Sequence, residues 1–157
     1  MDESSDRPHE LSLDLPAAHS AERMARTVLR QFARREGVAK AEIETLEFVA
    51  SELLANAVDH GGGGRAMEES DLTRRVRMKL FVAVTAGGWR MQVSDEGGGD
   101  PQDVAPLLHP SDMPDLEDER GRGFFLLAQM VDSLDVARSD DGLGLVFTAV
   151  KMYERRA

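Results

Sequence analysis

Residues 51–61 read SELLANAVDHG, a helical stretch that carries Glu52 and Asn56 four residues apart and stops at glycine. That spacing puts the two side chains on one helix face, turned away from the apolar stripe of Leu46, Leu53 and Ala57. The stripe continues back through Ala50 to Ile43 and includes Leu54, so the pattern predicts a helix from about Lys40 to His60. Four consecutive glycines, Gly61 to Gly64, end it. The polar stretch that follows, to about Arg75, has no periodicity and predicts a flexible loop.

Toward the N-terminus a second helix is predicted over residues 17–36. Ala21, Met24, Val28 and Phe32 recur on one side with Leu29 and Ala33 beside them, and Arg23, Arg26, Arg30 and Arg34 hold the other. Gly37 closes this helix, with Arg34 and Arg35 in its last turn, where cations oppose the dipole. Before it, ELSLDL (residues 10–15) alternates Leu11, Leu13 and Leu15 as a half-buried strand does, and residues 1–9 read as a flexible tail.

Toward the C-terminus, residues 76–84 and 89–94 predict a hairpin turning around Ala86-Gly87-Gly88. Residues 95–120 hold four prolines and three consecutive glycines without periodicity, which predicts a functional lid or binding loop. A buried helix opened by glycines follows over residues 121–132. A last hairpin follows, residues 133–137 and 143–152 turning at Asp140-Asp141-Gly142, and 154–157 form a tail. The order β-α-α-β-β-loop-α-β-β implies an α+β class. One domain over residues 10–153 is a two-layer sandwich, with helices on one face of a mixed, mainly antiparallel sheet.

Composition narrows the function. A chain of 157 residues can bury a core as one domain, and the absence of Cys excludes disulfides, thiolate metal sites and Cys nucleophiles. With 19 basic and 29 acidic residues the net charge is −10, unsuited to gripping nucleic acid phosphates or an anionic membrane. No apolar stretch approaches the ~20 residues of a membrane span, and MDESSDRPHE lacks the basic and apolar regions of a signal peptide. A cytoplasmic domain is expected, one that binds a basic partner or a ligand that brings its own metal.

Three clusters can carry chemistry. Glu52 and Asn56 offer a carboxylate and a carboxamide oxygen, which suit a hard cation such as Mg²⁺ that leans on ligand phosphates. Asp95-Glu96-Gly97-Gly98-Gly99 follows a strand. An Asp there can accept from an exocyclic amine, and glycines admit a flat ring close to the backbone. Gly121-Arg122-Gly123-Phe124 opens a helix, where backbone N–H groups and Arg120 and Arg122 favour an anion. Each cluster also has a plain reading: a solvated helix face, an ordinary turn, a Gly-rich helix start. Neither a Walker-type phosphate loop nor a G-x-G-x-x-G after the first strand is present.

Taken in order, E-x-x-x-N, strand-D-x-G-x-G, lid and G-x-G resemble the GHKL ATP-binding fold, and its anti-sigma-factor serine kinase branch above all. SELLANAVDHG resembles the N-box of that family, VSDEGGG (93–99) its first glycine box and RGRGFFLLAQMVD (120–132) its second. The resemblance implies an ATP- and Mg²⁺-dependent kinase that phosphorylates a STAS-type anti-anti-sigma protein and sequesters a sigma factor, and it suggests a homodimer. It implies that Glu52 polarises the substrate serine, that Asn56 binds Mg²⁺ and that Asp95 accepts the adenine amine beside Gly97 and Gly99. Gly121, Arg122 and Gly123 close on the phosphates, with His60 near the nucleotide. The family's last box begins Gly-Thr, whereas Gly144 here is followed by Leu145. A non-catalytic binding module of the same fold is the alternative. A histidine kinase is disfavoured, since His9, His19, His60 and His109 do not lie within a long helical hairpin.

Overall fold

The computed structural model describes residues 7–60, 76–108 and 119–153, with the side chains of 119–121 left aside. The loop expected over 61–75, most of the tail at 1–9 and the tail at 154–157 lie outside these residues. His9, expected in the tail, is the first residue of a strand.

The chain runs through β1 (His9–Pro16), α1 (His19–Arg35), α2 (Lys40–Asp59), β2 (Arg77–Thr85), β3 (Gly88–Ser94), α3 (Pro101–Leu108), α4 (Glu119–Met130), β4 (Ser133–Arg138) and β5 (Leu145–Met152). The sheet order is β1-β2-β3-β5-β4. Every pairing is antiparallel, so the sheet is not mixed as the sequence suggested. β1 and β2, joined through α1 and α2, pair directly and run in opposite directions. β3 and β4, joined through α3 and α4, run in the same direction but never pair, because β5 lies between them and is antiparallel to both.

One sheet face is apolar and carries the helices. Its rows cross all five strands: Leu13, Leu80, Val93, Phe147 and Val136 in one, Leu11, Val82, Met91, Ala149 and Leu134 in the next. The side-chain period of two keeps each row on one side, and burial of most of these residues follows. The polar rows fall on the other side, where Gln92 donates to the Thr148 hydroxyl at 3.2 Å. Arg90 lies 5.7 Å above the ring of Phe81 on the same side.

α2 crosses the apolar face and buries Ile43, Leu46, Ala50, Leu53, Leu54 and Ala57, as its periodicity predicts, together with Val49 and Val58. α1 contacts α2 through Ala21, Ala25, Leu29 and Ala33, spaced by four along one ridge. Met24, placed on the buried stripe by the sequence pattern, is 55% exposed. Three alanines on the neighbouring ridge let the two helices approach more closely than Met24, Val28 and Phe32 would allow.

α3 occupies part of the segment expected to be a structureless lid. Asp100 starts it: its side chain accepts the Gln102 N–H at 2.9 Å and its carbonyl the Asp103 N–H at 3.0 Å. Pro101 suits the first helical position. Val104 and Leu108 face the core at 4% and 1% exposure. Two apolar anchors in eight residues, with Pro106 inside, are too few to print a helical period.

Candidate nucleotide-binding site

The last turns of α2 face the first turns of α4 across a cleft of about 290 Å³, lined by Glu52, Asn56, Asp59, His60, Arg122 and Gly123, among others. α4 is seated on the sheet by Phe124, whose ring stacks on Phe147 of β5 at 5.6 Å between centroids and 22° between planes. The face bearing Glu52 and Asn56 is therefore covered by α4. Asn56 is only 8% exposed. The reading of E-x-x-x-N as a solvated helix face falls.

Glu52 meets α4 at its glycine. A Cβ on Gly123 would lie 2.9 Å from Glu52 Oε2, so only glycine leaves the carboxylate its place. Burial, joined by the like charge of Glu22 on α1, pushes the Glu52 carboxyl above the usual carboxylate range, and Arg122 pulls it back. Glu22 belongs to a cluster on the cleft rim. His19 lies 3.7 Å from Glu22 and 3.1 Å from Asp59, tying the start of α1 to the end of α2.

A second cavity of about 170 Å³ opens beside the end of β3, lined by His60, Asp95, Gly99, Asp100, Asp103, Val104 and Leu145. His60 lines both cavities, so the two adjoin. Asp95 is 6% exposed. Its Oδ1 accepts the Gly97 N–H at 3.0 Å and the Leu145 N–H at 3.1 Å. Among the described residues Oδ2 has no hydrogen-bond partner, which leaves one carboxylate oxygen to face a ligand.

The sequence-predicted residues thus gather at two ends. Glu52, Asn56, Arg122 and Gly123 line one, Asp95 and Gly99 the other, and His60 both. Gly97 acts through its N–H to Asp95, and Gly121 lies in the first turn of α4. The motif D-x-G-x-G passed over Gly98, the one glycine of its run with a left-handed backbone (φ 70°); its N–H donates to Leu143 O at 2.8 Å. In the sequence Gly144 stands out only through Leu145 after it. A Cβ there would lie 2.3 Å from both Asp95 O and Asp95 Oδ1. Gly142-x-Gly144 in a hairpin turn was the available signal. Among the described residues no three His, Asp or Glu side chains converge as a metal cage. No helix among them is long and apolar enough to cross a membrane.

A two-layer α+β domain with a cleft between α2 and α4 and a buried Asp at a sheet end defines the class. The chain belongs to the histidine kinase-like ATPase domain family, whose model matches residues 15–149. Among curated relatives, the serine-protein kinase RsbW of Bacillus pumilus (strain SAFR-032) is 25% identical over 150 residues, 92% of this chain and 88% of that protein. The family match bears out the GHKL reading of the sequence, and the RsbW relative agrees with its serine-kinase branch.

Solved structures agree on the fold. The SiaB–SiaC complex of Pseudomonas aeruginosa matches with a TM-score of 0.65 at 16% identity, covering 94% of this chain and 91% of that one. The RsbU and RsbW domains of Rv1364c from Mycobacterium tuberculosis match with a TM-score of 0.59 at 19% identity, covering 92% of this chain. This chain spans 32% of the length of that larger protein.

Proposed function

We propose that the protein is an ATP-dependent serine protein kinase that phosphorylates a STAS-type anti-anti-sigma protein and sequesters a sigma factor. The observation that carries the reading is Glu52: a carboxylate with a raised pKa, set against Gly123 inside α4, in a cleft that shares His60 with the cavity of a buried Asp. The RsbW relative, by name a serine-protein kinase, supports the substrate class.

The donor set fits a nucleotide. Asp95 Oδ2 is the acceptor for an adenine amine, with Gly99 and Leu145 as walls of the base cavity. The Arg122 guanidinium on the cleft lining suits phosphates. Asn56 would contribute an oxygen to Mg²⁺, which when bound neutralises charge on the phosphates. Glu52 accepts the proton of the substrate serine as its oxygen attacks, and a raised pKa keeps a carboxylate basic enough for that work. Positioning and electrostatics supply most of the rest in phosphoryl transfer.

One observation favours the binding-module reading: Leu145, not Thr, stands after Gly144, so that wall of the base cavity carries no hydroxyl. Its backbone N–H nonetheless still anchors Asp95. Incubation with labelled ATP, Mg²⁺ and a STAS-type antagonist separates the two. Transfer to the antagonist's serine is the expected result; ATP binding without transfer to any antagonist would leave the module.

A further inference from the structure

The turn between β4 and β5 is built on a buried serine. Ser139 is 9% exposed, and its hydroxyl donates to Asp141 Oδ1 at 2.7 Å while accepting the Gly144 N–H at 3.1 Å. Asp141 Oδ1 also accepts the Leu143 N–H at 2.9 Å. The backbone closes the same turn: Ser139 N–H donates to Gly144 O and Gly142 N–H to Ser139 O, each at 2.9 Å. Gly142 supplies the left-handed residue with φ 74°. The bonds from Leu143 and Ser139 hold the Asp141 carboxyl below the usual carboxylate range, so the network favours its charged form.

What leaves this turn meets Asp95 directly. Leu143 O accepts the Gly98 N–H at 2.8 Å, and Asp95 N–H donates to Leu145 O at 2.9 Å while Leu145 N–H returns to Asp95 Oδ1 at 3.1 Å. Gly144 sits between these contacts, with no room for a Cβ against Asp95. The Asp95 carboxylate is therefore held jointly by this turn and by the neighbouring Gly97 N–H. Neither Ser139 nor Asp141 lines the base cavity.

We propose that Ser139 and Asp141 are positioning residues for the base end of the site. They hold the Gly144–Leu145 backbone against Asp95, set the direction in which Oδ2 faces the cavity, and so set selectivity for a base that carries an amine. The inference rests on the nucleotide reading above.

The test compares three ligands on the full chain: ATP, inosine triphosphate, which has an oxygen where adenine has its amine, and inorganic tripolyphosphate. Wild type is expected to prefer ATP to inosine triphosphate. Ser139→Ala should narrow that preference about tenfold, the worth of one well-directed hydrogen bond, and leave tripolyphosphate affinity within about twofold. Ser139→Thr, which keeps the hydroxyl, should restore most of the preference. Asp141→Ala lies on the exposed side of the turn and should narrow it about threefold without unfolding the protein. A preference unchanged in Ser139→Ala and Asp141→Ala, or affinity for all three ligands falling together, overturns the positioning role. A wild type with no preference for ATP overturns the nucleotide reading itself.

Discussion

The two ends of the cleft are built from different materials. At the base end, Asp95 is held by backbone: N–H groups of Gly97 and Leu145 on one oxygen, and the main chain of Gly144 against its flank. At the phosphate end, Glu52, Asn56 and Arg122 are side chains on two helices that meet across a gap. A backbone-anchored carboxylate is preorganised to read one ligand feature. Side chains across a helix–helix gap have rotamers to adjust, which suits a reaction in which groups move. On the proposed nucleotide reading, one end recognises the base and the other holds the phosphates and carries the chemistry.

The sharpest way to break that division is Glu52→Gln. The amide keeps the shape and loses the base, so phosphoryl transfer should fall by about 10²–10⁴-fold while ATP affinity is retained. Parallel loss of ATP binding, measured by titration calorimetry, would show that Glu52 holds the nucleotide rather than acting as the base. Asn56→Ala should lower both Mg-ATP affinity and turnover.

Next in size is the base end. Asp95→Asn replaces a charged acceptor by a neutral one and should weaken ATP by about one to two decades, with little change in thermal stability without ligand. Gly144→Ala should match or exceed that, because its new methyl meets the Asp95 main chain and cannot be relieved by a rotamer change.

Gly123→Ala sharpens the contrast. Its methyl meets only the tip of Glu52, a side chain able to swing away. ATP affinity should change less than about threefold, whereas transfer drops because the carboxylate is displaced. Equal affinity losses in Gly123→Ala and Gly144→Ala would erase the distinction between the two ends.

Smaller effects follow from the raised pKa of Glu52. The rate should rise with pH through an acid limb above the ordinary carboxylate range, as Glu52 deprotonates. Glu22→Gln removes a like charge and should move the limb down. Arg122→Ala removes a cation and should move it up. Stability carries the same sign. A folded pKa above the unfolded one means that charged Glu52 destabilises the fold once pH rises through the folded value, and not below the unfolded one. Glu52→Gln should therefore raise Tm slightly at neutral pH and leave it unchanged in acid, as differential scanning calorimetry can measure.

Element types were legible wherever many residues repeated one period. α2 shows its stripe over 20 residues and β1 alternates Leu11, Leu13 and Leu15, while each hairpin shows apolar runs flanking a glycine-containing turn, so residues 40–60 and the two hairpins could be read directly. α3 could not, because two anchors in eight residues make no period. The site motifs were legible as local chemistry: Glu52 with Asn56 by helix spacing, Asp95 with its glycines by position after a strand.

By itself, then, the sequence determined every element but α3, the layer class and the side chains that line both ends of the cleft, because these depend on neighbours a few positions away. Tertiary structure alone decided the rest. It chose the Ala21–Ala33 ridge over Met24 as the buried face of α1. It set Gly123 against Glu52, and Gly144 against Asp95 across two helices and one strand of intervening chain. Close approach between residues distant in the chain leaves no periodic trace. It exists only once strands have paired in register and helices have docked, and the missing Cβ of a glycine is its single mark in the sequence.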